Sequence, residues 1–229
     1  MLVLGHRGAS ASYPENTVAA FAAALAVGAD GVELDVRRGP GSALVVSHDP
    51  AYADGSRILD LPVDDRPPDV ALLDEALDAL DSARLVNVEI KNWPDDPDWD
   101  PSEQLAEAVV ARLLARGEGD DDRYLISAFH LPTIDRVHEL APRVATGWLV
   151  IDPGDPVACV ERVRRHGHRA IHPHHLFVNA ELVREAHAAG LAVNTWTADD
   201  PDRIRWLAEV GVDAVVTDDP ATALAALGR

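Results

Sequence analysis

Gly31-Val32-Glu33-Leu34-Asp35-Val36 reads as a buried β-strand with two acids set into it. A strand has period two, so Glu33 and Asp35 point to one face while Val32, Leu34 and Val36 share the other. Carboxylates held that close in an apolar setting are costly unless a cation or a shared proton neutralises them. The stretch therefore predicts a metal site or an acid–base pair.

Seven similar runs recur, at residues 2–5, 85–90, 124–127, 145–150, 170–172, 192–196 and 214–217. Helical patterns at 14–27, 103–116, 133–140, 156–166, 180–189 and 201–210 separate most of them, opening near Pro, Asp, Ser or Thr and several closing near Gly. Such alternation means βα units. Eight of them in 229 residues is the inventory of an α/β (β/α)₈ TIM barrel, whose active site lies at the C-terminal strand ends. A doubly wound open sheet is the alternative. Residues 44–48 follow the second strand too soon for a parallel crossover and predict an antiparallel hairpin arm, which would return His48 over the same mouth. Residues 50–69, rich in Pro, Asp and Gly, predict a short surface-loop insertion before the third strand, with a helix resuming at 73–80. No Pro- or Ser-rich linker divides the chain, so one domain over residues 1–229 is expected.

Aromatic residues are only 5% of the chain, so its core must come from Ala, Val, Leu and Ile. A net charge of -19 repels nucleic acid and anionic membranes, which favours small soluble partners. Cys159 is the only cysteine, excluding an internal disulfide and a cysteine-based zinc cluster and suiting a reducing compartment. The N-terminus shows no signal peptide, and the longest apolar stretch, residues 18–29, falls short of a bilayer span; a cytoplasmic location is expected. Oligomeric state is not legible.

Polar residues collect at the ends of the early strands: His6 and Arg7, then Glu33 and Asp35, then Glu89 and Lys91. Glu33, Asp35 and Glu89 offer three hard oxygen ligands, which suit Mg²⁺ or Ca²⁺, with Mn²⁺ also compatible. A blander reading pairs these acids with Arg7 and Lys91 in a buried ion network. Lys91 is the only lysine in a chain that otherwise uses arginine throughout. A compact ammonium differs from a planar guanidinium most in a crowded phosphate–metal site. His172-Pro173-His174-His175 matches no tight metal motif and reads as strand-end histidines facing solvent, while His130, His138, His166, His168 and His187 fall on loops or helix faces without evident function.

With these residues in place, the chain resembles the glycerophosphodiester phosphodiesterase family. The resemblance rests on His6-Arg7-Gly8, Pro14-Glu15-Asn16-Thr17, Glu33-Leu34-Asp35, His48-Asp49, Glu89-Ile90-Lys91, Ser127-Ala128-Phe129, Trp196-Thr197 and Thr217-Asp218-Asp219-Pro220, in order over nearly the whole chain. It implies a (β/α)₈ barrel in which Glu33, Asp35 and Glu89 bind one divalent cation and His6 and His48 do acid–base work. Arg7 and Lys91 are then expected to hold phosphate oxygens, Glu15 to orient Arg7 or His6, and Phe129 and Trp196 to wall the glycerol carbons. The implied reaction is metal-dependent hydrolysis of a small soluble glycerophosphodiester to sn-glycerol 3-phosphate and an alcohol. Two departures bear on substrate preference: Ala198-Asp199 stands where relatives commonly carry Val-Asn, and the segment between His48 and Glu89 is short. Competing readings are a phospholipase D of the same superfamily acting on lysophospholipids or sphingolipids, and a non-catalytic barrel that binds a phosphorylated metabolite.

Overall fold

A computed structural model describes residues 1–117 and 122–229. The first strand, β1 (Leu2–His6), pairs in parallel on one side with β2 (Gly31–Arg38) and on the other with the last strand, β9 (Ala214–Thr217). Between them run β4 (Leu85–Ile90), β5 (Tyr124–Ala128), β6 (Ala145–Val150), β7 (Ala170–Pro173) and β8 (Ala192–Thr195), all parallel, so eight strands close into a TIM barrel. The ninth, β3 (Leu44–Val46), lies outside the ring and pairs antiparallel with β2, Val36 opposite Val46 and Arg38 opposite Leu44. It stops two residues short of the expected run, leaving His48 in the bend beyond it.

Helices α1 (Val18–Ala26), α2 (Leu73–Ala79), α3 (Gln104–Ala115), α4 (Leu131–Leu140), α5 (Pro156–Arg165), α6 (Ala180–Ala188), α7 (Pro201–Glu209) and α8 (Pro220–Ala226) follow the strands around the outside. Several starts are written in the sequence. Asp155, Asn179, Asp200 and Asp219 each accept a backbone N–H three residues on, and Pro156, Pro201 and Pro220 supply a first-turn φ without a stranded donor. The expected helix at 14–27 begins only at Val18. Thr17 caps it by accepting the Ala20 N–H at 3.1 Å, and the same hydroxyl donates to the Pro14 carbonyl at 2.8 Å, fixing residues 14–17 as a turn.

Strand alternation divides the interior. Val32, Leu34 and Val36 turn outward and pack with Phe21 and Leu77 of the helices, as Ile171, Val193 and Val215 do with Val163, Leu182 and Leu207. Leu4, Ala214 and Val216, with Leu2 and Leu85, plug the N-terminal end of the barrel. Above that plug the interior turns polar: Asn87, Ser127, His172 and Asn194 are all buried. Gly147 makes the room, because a Cβ there would sit 2.4 Å from His172 Nε2. Residues 50–69 form two single-turn 3₁₀ helices, Ile58–Asp60 and Val63–Asp65, and Tyr52 and Ile58 pack with Val45 in a small apolar cluster under the arm.

Candidate active site

At the C-terminal end of the barrel, β2 and β4 in register place Asp35 opposite Glu89, and β1 places His6 opposite Glu33. One donor oxygen from each of Glu33, Asp35 and Glu89 lies within 4.8 Å of the others, and all three residues are buried. Two acids have cationic partners. Lys91 Nζ lies 2.7 Å from Glu89 Oε1 and 3.6 Å from Asp35 Oδ1, and Arg7 Nε lies 3.0 Å from Asp35 Oδ2. Asn16 completes the Asp35 cradle, its amide donating to Oδ2 at 2.8 Å while its own Oδ1 accepts the Asp35 N–H at 3.2 Å.

Glu33 is different. Its Oε2 accepts only the Arg7 backbone N–H, at 3.0 Å, and its Oε1 is buried with no hydrogen-bond partner, as is Asp35 Oδ1. Burial, then the neighbouring Asp35 charge and that of Glu89, push the Glu33 carboxyl up to about 8, against the pull of His6 and Arg7. Burial also raises Glu89, whereas Lys91 and Arg7 together hold Asp35 below its ordinary value despite burial. A self-contained ion network accounts for Asp35 and Glu89 and leaves Glu33 over. Unpartnered carboxylate oxygens aimed into a triad of hard donors are what a divalent cation requires, so the residues fit such an ion.

His6 Nδ1 lies 2.6 Å from Asp218 Oδ1, and Ser10 Oγ donates to the same oxygen at 2.9 Å. Burial opposes the imidazolium, yet the Asp218 hydrogen bond and the Glu33 charge lift His6 above its ordinary value. Asp218 is held in turn: Asp199 Oδ1 accepts the Asp218 N–H and the Thr217 hydroxyl, both at 2.8 Å. Both contacts end on one acceptor oxygen, which an amide at position 199 would supply equally. Arg7 has a left-handed backbone, φ 55°, that turns its side chain back so that Nη1 donates to both Glu15 oxygens at 2.9 Å.

His48 approaches from the arm, its Nδ1 2.8 Å from Asp49 Oδ1. Its position is set by Arg37, a buried residue on the same face of β2 as Glu33 and Asp35. Arg37 Nε donates to the His48 carbonyl at 2.6 Å, Nη1 to both oxygens of Asp98 at 2.7 and 2.9 Å, and Nη2 lies 3.1 Å from Asp96. The arm is thereby tied to the loop after β4.

These side chains line a two-lobed cavity. The inner lobe, about 150 Å³, touches His6, Arg7, Glu33, Glu89, Lys91 and His48, with Asn87 and His172 at its floor. The outer lobe, about 400 Å³, shares His48, Glu89, Lys91 and Phe129 and is completed by Trp93, Pro50 and Ile151. Phe129 and Trp196 meet edge to face at 5.4 Å, and Trp196 is fixed by its indole N–H, which donates to the His172 carbonyl at 2.8 Å. The residues expected from the sequence line this cavity except Asp35, which lies buried behind it against Arg7 and Lys91, and Glu15, which reaches it through Arg7.

The sequence alone assigns no role to Arg37, and none to Asn16 or Asp218 beyond their motifs. Two of them do carry a signal: Arg37 continues the Glu33/Asp35 alternation, and Asp218 directly follows the last strand. His172 corrects the expectation of a solvent-facing strand end. It is buried inside the barrel, where Asn194 Nδ2 donates to its Nε2 at 3.0 Å and burial depresses it to about 3.

A sequence profile of the glycerophosphoryl diester phosphodiesterase family matches residues 6–222. A glycerophosphodiester phosphodiesterase of Caldanaerobacter subterraneus is 29% identical, over 96% of this chain and 95% of that protein. A phosphodiesterase of Oleispira antarctica, solved with its product sn-glycerol-3-phosphate, superposes with a TM-score of 0.89 at 25% identity, covering 100% of this chain and 97% of that one. A glycerophosphodiester phosphodiesterase of Thermotoga maritima gives a TM-score of 0.82 at 28% identity, over 100% and 98% of the two chains. Among the described residues no helix is long and apolar enough to cross a membrane.

Proposed function

The chain belongs to the glycerophosphoryl diester phosphodiesterase family, and on that premise we propose that residues 1–229 act as one domain hydrolysing small glycerophosphodiesters to sn-glycerol 3-phosphate and an alcohol. The observation that carries the reading is the buried carboxylate triad, with Glu33 left without a cationic partner, beside a cavity that His6 and His48 both line. Glu33, Asp35 and Glu89 would hold one divalent ion, Mg²⁺ or Ca²⁺ by the hardness of the donors. When bound, the ion would polarise a phosphoryl oxygen and acidify a glycerol hydroxyl.

The chain's own groups divide the remaining work. Arg7 and Lys91 flank the triad and supply fixed positive charge for the phosphate oxygens as charge builds on them. Glu15 keeps the Arg7 guanidinium in place. His6 lines only the inner lobe and has Nδ1 engaged with Asp218, so its Nε2 is the nitrogen that takes the proton from the attacking oxygen. His48 borders both lobes and would protonate the departing alcohol. Where the attacking oxygen is the glycerol hydroxyl, the cyclic phosphate so formed would then be opened by water, His48 taking the water proton and His6 returning its proton to the glycerol oxygen, whereas direct attack by water would give sn-glycerol 3-phosphate in one step. Phe129 and Trp196 provide the apolar wall against the glycerol carbons. The leaving group then lies in the outer lobe beside Trp93.

Purified protein incubated with glycerophosphocholine or glycerophosphoethanolamine and Mg²⁺ or Ca²⁺ should release sn-glycerol 3-phosphate, and chelation, His6→Ala or Glu33→Ala should each abolish the release. Turnover that survives all three would overturn the proposal. Phosphorus NMR of the products separates this reaction from the phospholipase D reading, in which lysophospholipid is consumed and a cyclic phosphate accumulates. Tight binding without turnover under every divalent ion would mark a binding barrel instead.

A further inference from the structure

A second group of side chains gathers at the opposite end of the barrel, where α5 turns into β7. Asp135 and His138 stand three residues apart on α4, and His166-Gly167-His168 forms the turn that faces them. Asp135 Oδ1 lies 2.8 Å from His166 Nδ1 and 3.1 Å from His168 Nε2. The donor atoms of Asp135, His166 and His168 all fall within 4.8 Å of one another. We propose that these three residues form a separate metal site for a borderline transition ion of the Zn²⁺ class.

The donor chemistry sets this site apart from the catalytic triad. Two imidazoles and one carboxylate suit Zn²⁺, Co²⁺ or Ni²⁺, whereas an all-oxygen set suits Mg²⁺ or Ca²⁺. The surroundings are built to aim the ligands. The His168 side chain is fully buried, and its other ring nitrogen, Nδ1, lies 2.9 Å from the buried Thr146 hydroxyl. Such a contact on the far nitrogen fixes ring orientation and leaves Nε2 directed at Asp135.

Gly167, at φ +82°, lets the turn close against α4, because a Cβ there would sit 2.8 Å from His138 Nε2. The His138 ring, 6.1 Å from that of His168, is the nearest further imidazole for a fourth position. His166 and Asp135 are partly exposed, at 39% and 30%, so an ion has a path in from solvent. Ligands 31 residues apart in sequence would make the bound ion a clamp between α4 and the β7 entry.

The site is independent of the catalytic reading and is tested on the full chain with excess Mg²⁺ present to fill the hard-oxygen site. Calorimetry should then find one equivalent of Zn²⁺, which raises the thermal midpoint, and Co²⁺ should give the visible absorption of a nitrogen-ligated ion. His166→Ala, on the surface, should weaken Zn²⁺ at least tenfold and erase the Co²⁺ band while leaving phosphodiester hydrolysis unchanged. Thr146→Val, which touches no ion, should weaken Zn²⁺ by about 10- to 100-fold. Wild-type protein that binds no Zn²⁺ under these conditions, or His166→Ala that binds it as tightly as wild type, would leave only an Asp–His hydrogen-bond cluster and overturn the proposal. Imidazole ¹H–¹⁵N spectra of the unaltered protein test the same ligands without any variant: the His166 and His168 signals must shift on Zn²⁺ addition, and unmoved signals would overturn the site.

Discussion

Arg37 Nε donates to the main-chain carbonyl of His48 at 2.6 Å, joining the strand that carries Glu33 and Asp35 to the bend that carries the second histidine. The contact is made by a guanidinium that is itself held by Asp98 through two hydrogen bonds and by Asp96, so the His48 backbone is located by a fork with little freedom to move. Replacing Arg37 by Gln should let the arm drift and lower kcat by about 100-fold, the scale expected of an ångström-level misplacement. Metal affinity measured by calorimetry should stay near wild type. Loss of metal binding in step with kcat would show instead that Arg37 supports the triad.

Asp218→Asn tests the His6 pairing. The carboxylate raises His6 relative to what burial alone would give, so the amide should lower the imidazole's affinity for protons and move the ascending limb of the pH–rate profile toward acid. The rate at the plateau should fall by about 10²- to 10⁴-fold as the base weakens. An unshifted limb would assign that limb to another group.

Glu33→Gln should separate stability from function. In the metal-free protein the carboxyl is raised from 4.5 to about 8, so the unfolded chain ionises first and this group's support for the fold is lost as pH climbs through that window. The variant should therefore melt higher than wild type at pH 8 without metal, gain nothing from Mg²⁺, and be inactive. Equal midpoints for metal-free wild type and variant at pH 8 would contradict an uncompensated Glu33.

His172 sets an acid limit. Its depression from 6.5 to about 3 means that the unfolded chain binds a proton across this interval while the folded one does not, so its contribution is complete above 6.5 and lost as pH falls. The sensitivity is about 1.4 kcal/mol per pH unit, readable in urea titrations at pH 6 and 5. His172→Gln should flatten that slope. Gly147→Ala drives a methyl into the same ring and should cost about 1–3 kcal/mol.

Strand alternation makes the barrel legible in the sequence, because each parallel strand advertises itself by a short β-branched run and each helix by its cap; Asp155-Pro156 and Asp200-Pro201 are examples. The carboxylate cluster is legible for the same reason, since period two forces Glu33 and Asp35 onto one face. Partnerships between residues far apart in the chain are not. Nothing local to Asp218 reveals that it meets His6, 212 residues away, nor does Arg37 advertise Asp98. His172 misleads because the sequence shows where a strand ends but not how far the barrel wall rises around it. The His166-Gly167-His168 turn looks idle because the helix face it meets, carrying Asp135, lies 31 residues earlier.

The pairing of β1 with β9 that closes the ring also brings His6 to Asp218. During synthesis the histidine leaves the ribosome 212 residues ahead of its partner, so a growing chain that has not reached residue 218 has no His6–Asp218 pair. On the proposed mechanism turnover waits for the last strand to dock beside the first, and a nonsense mutation anywhere before the Asp218 codon yields a product that lacks the His6 partner, however much of the barrel it has assembled.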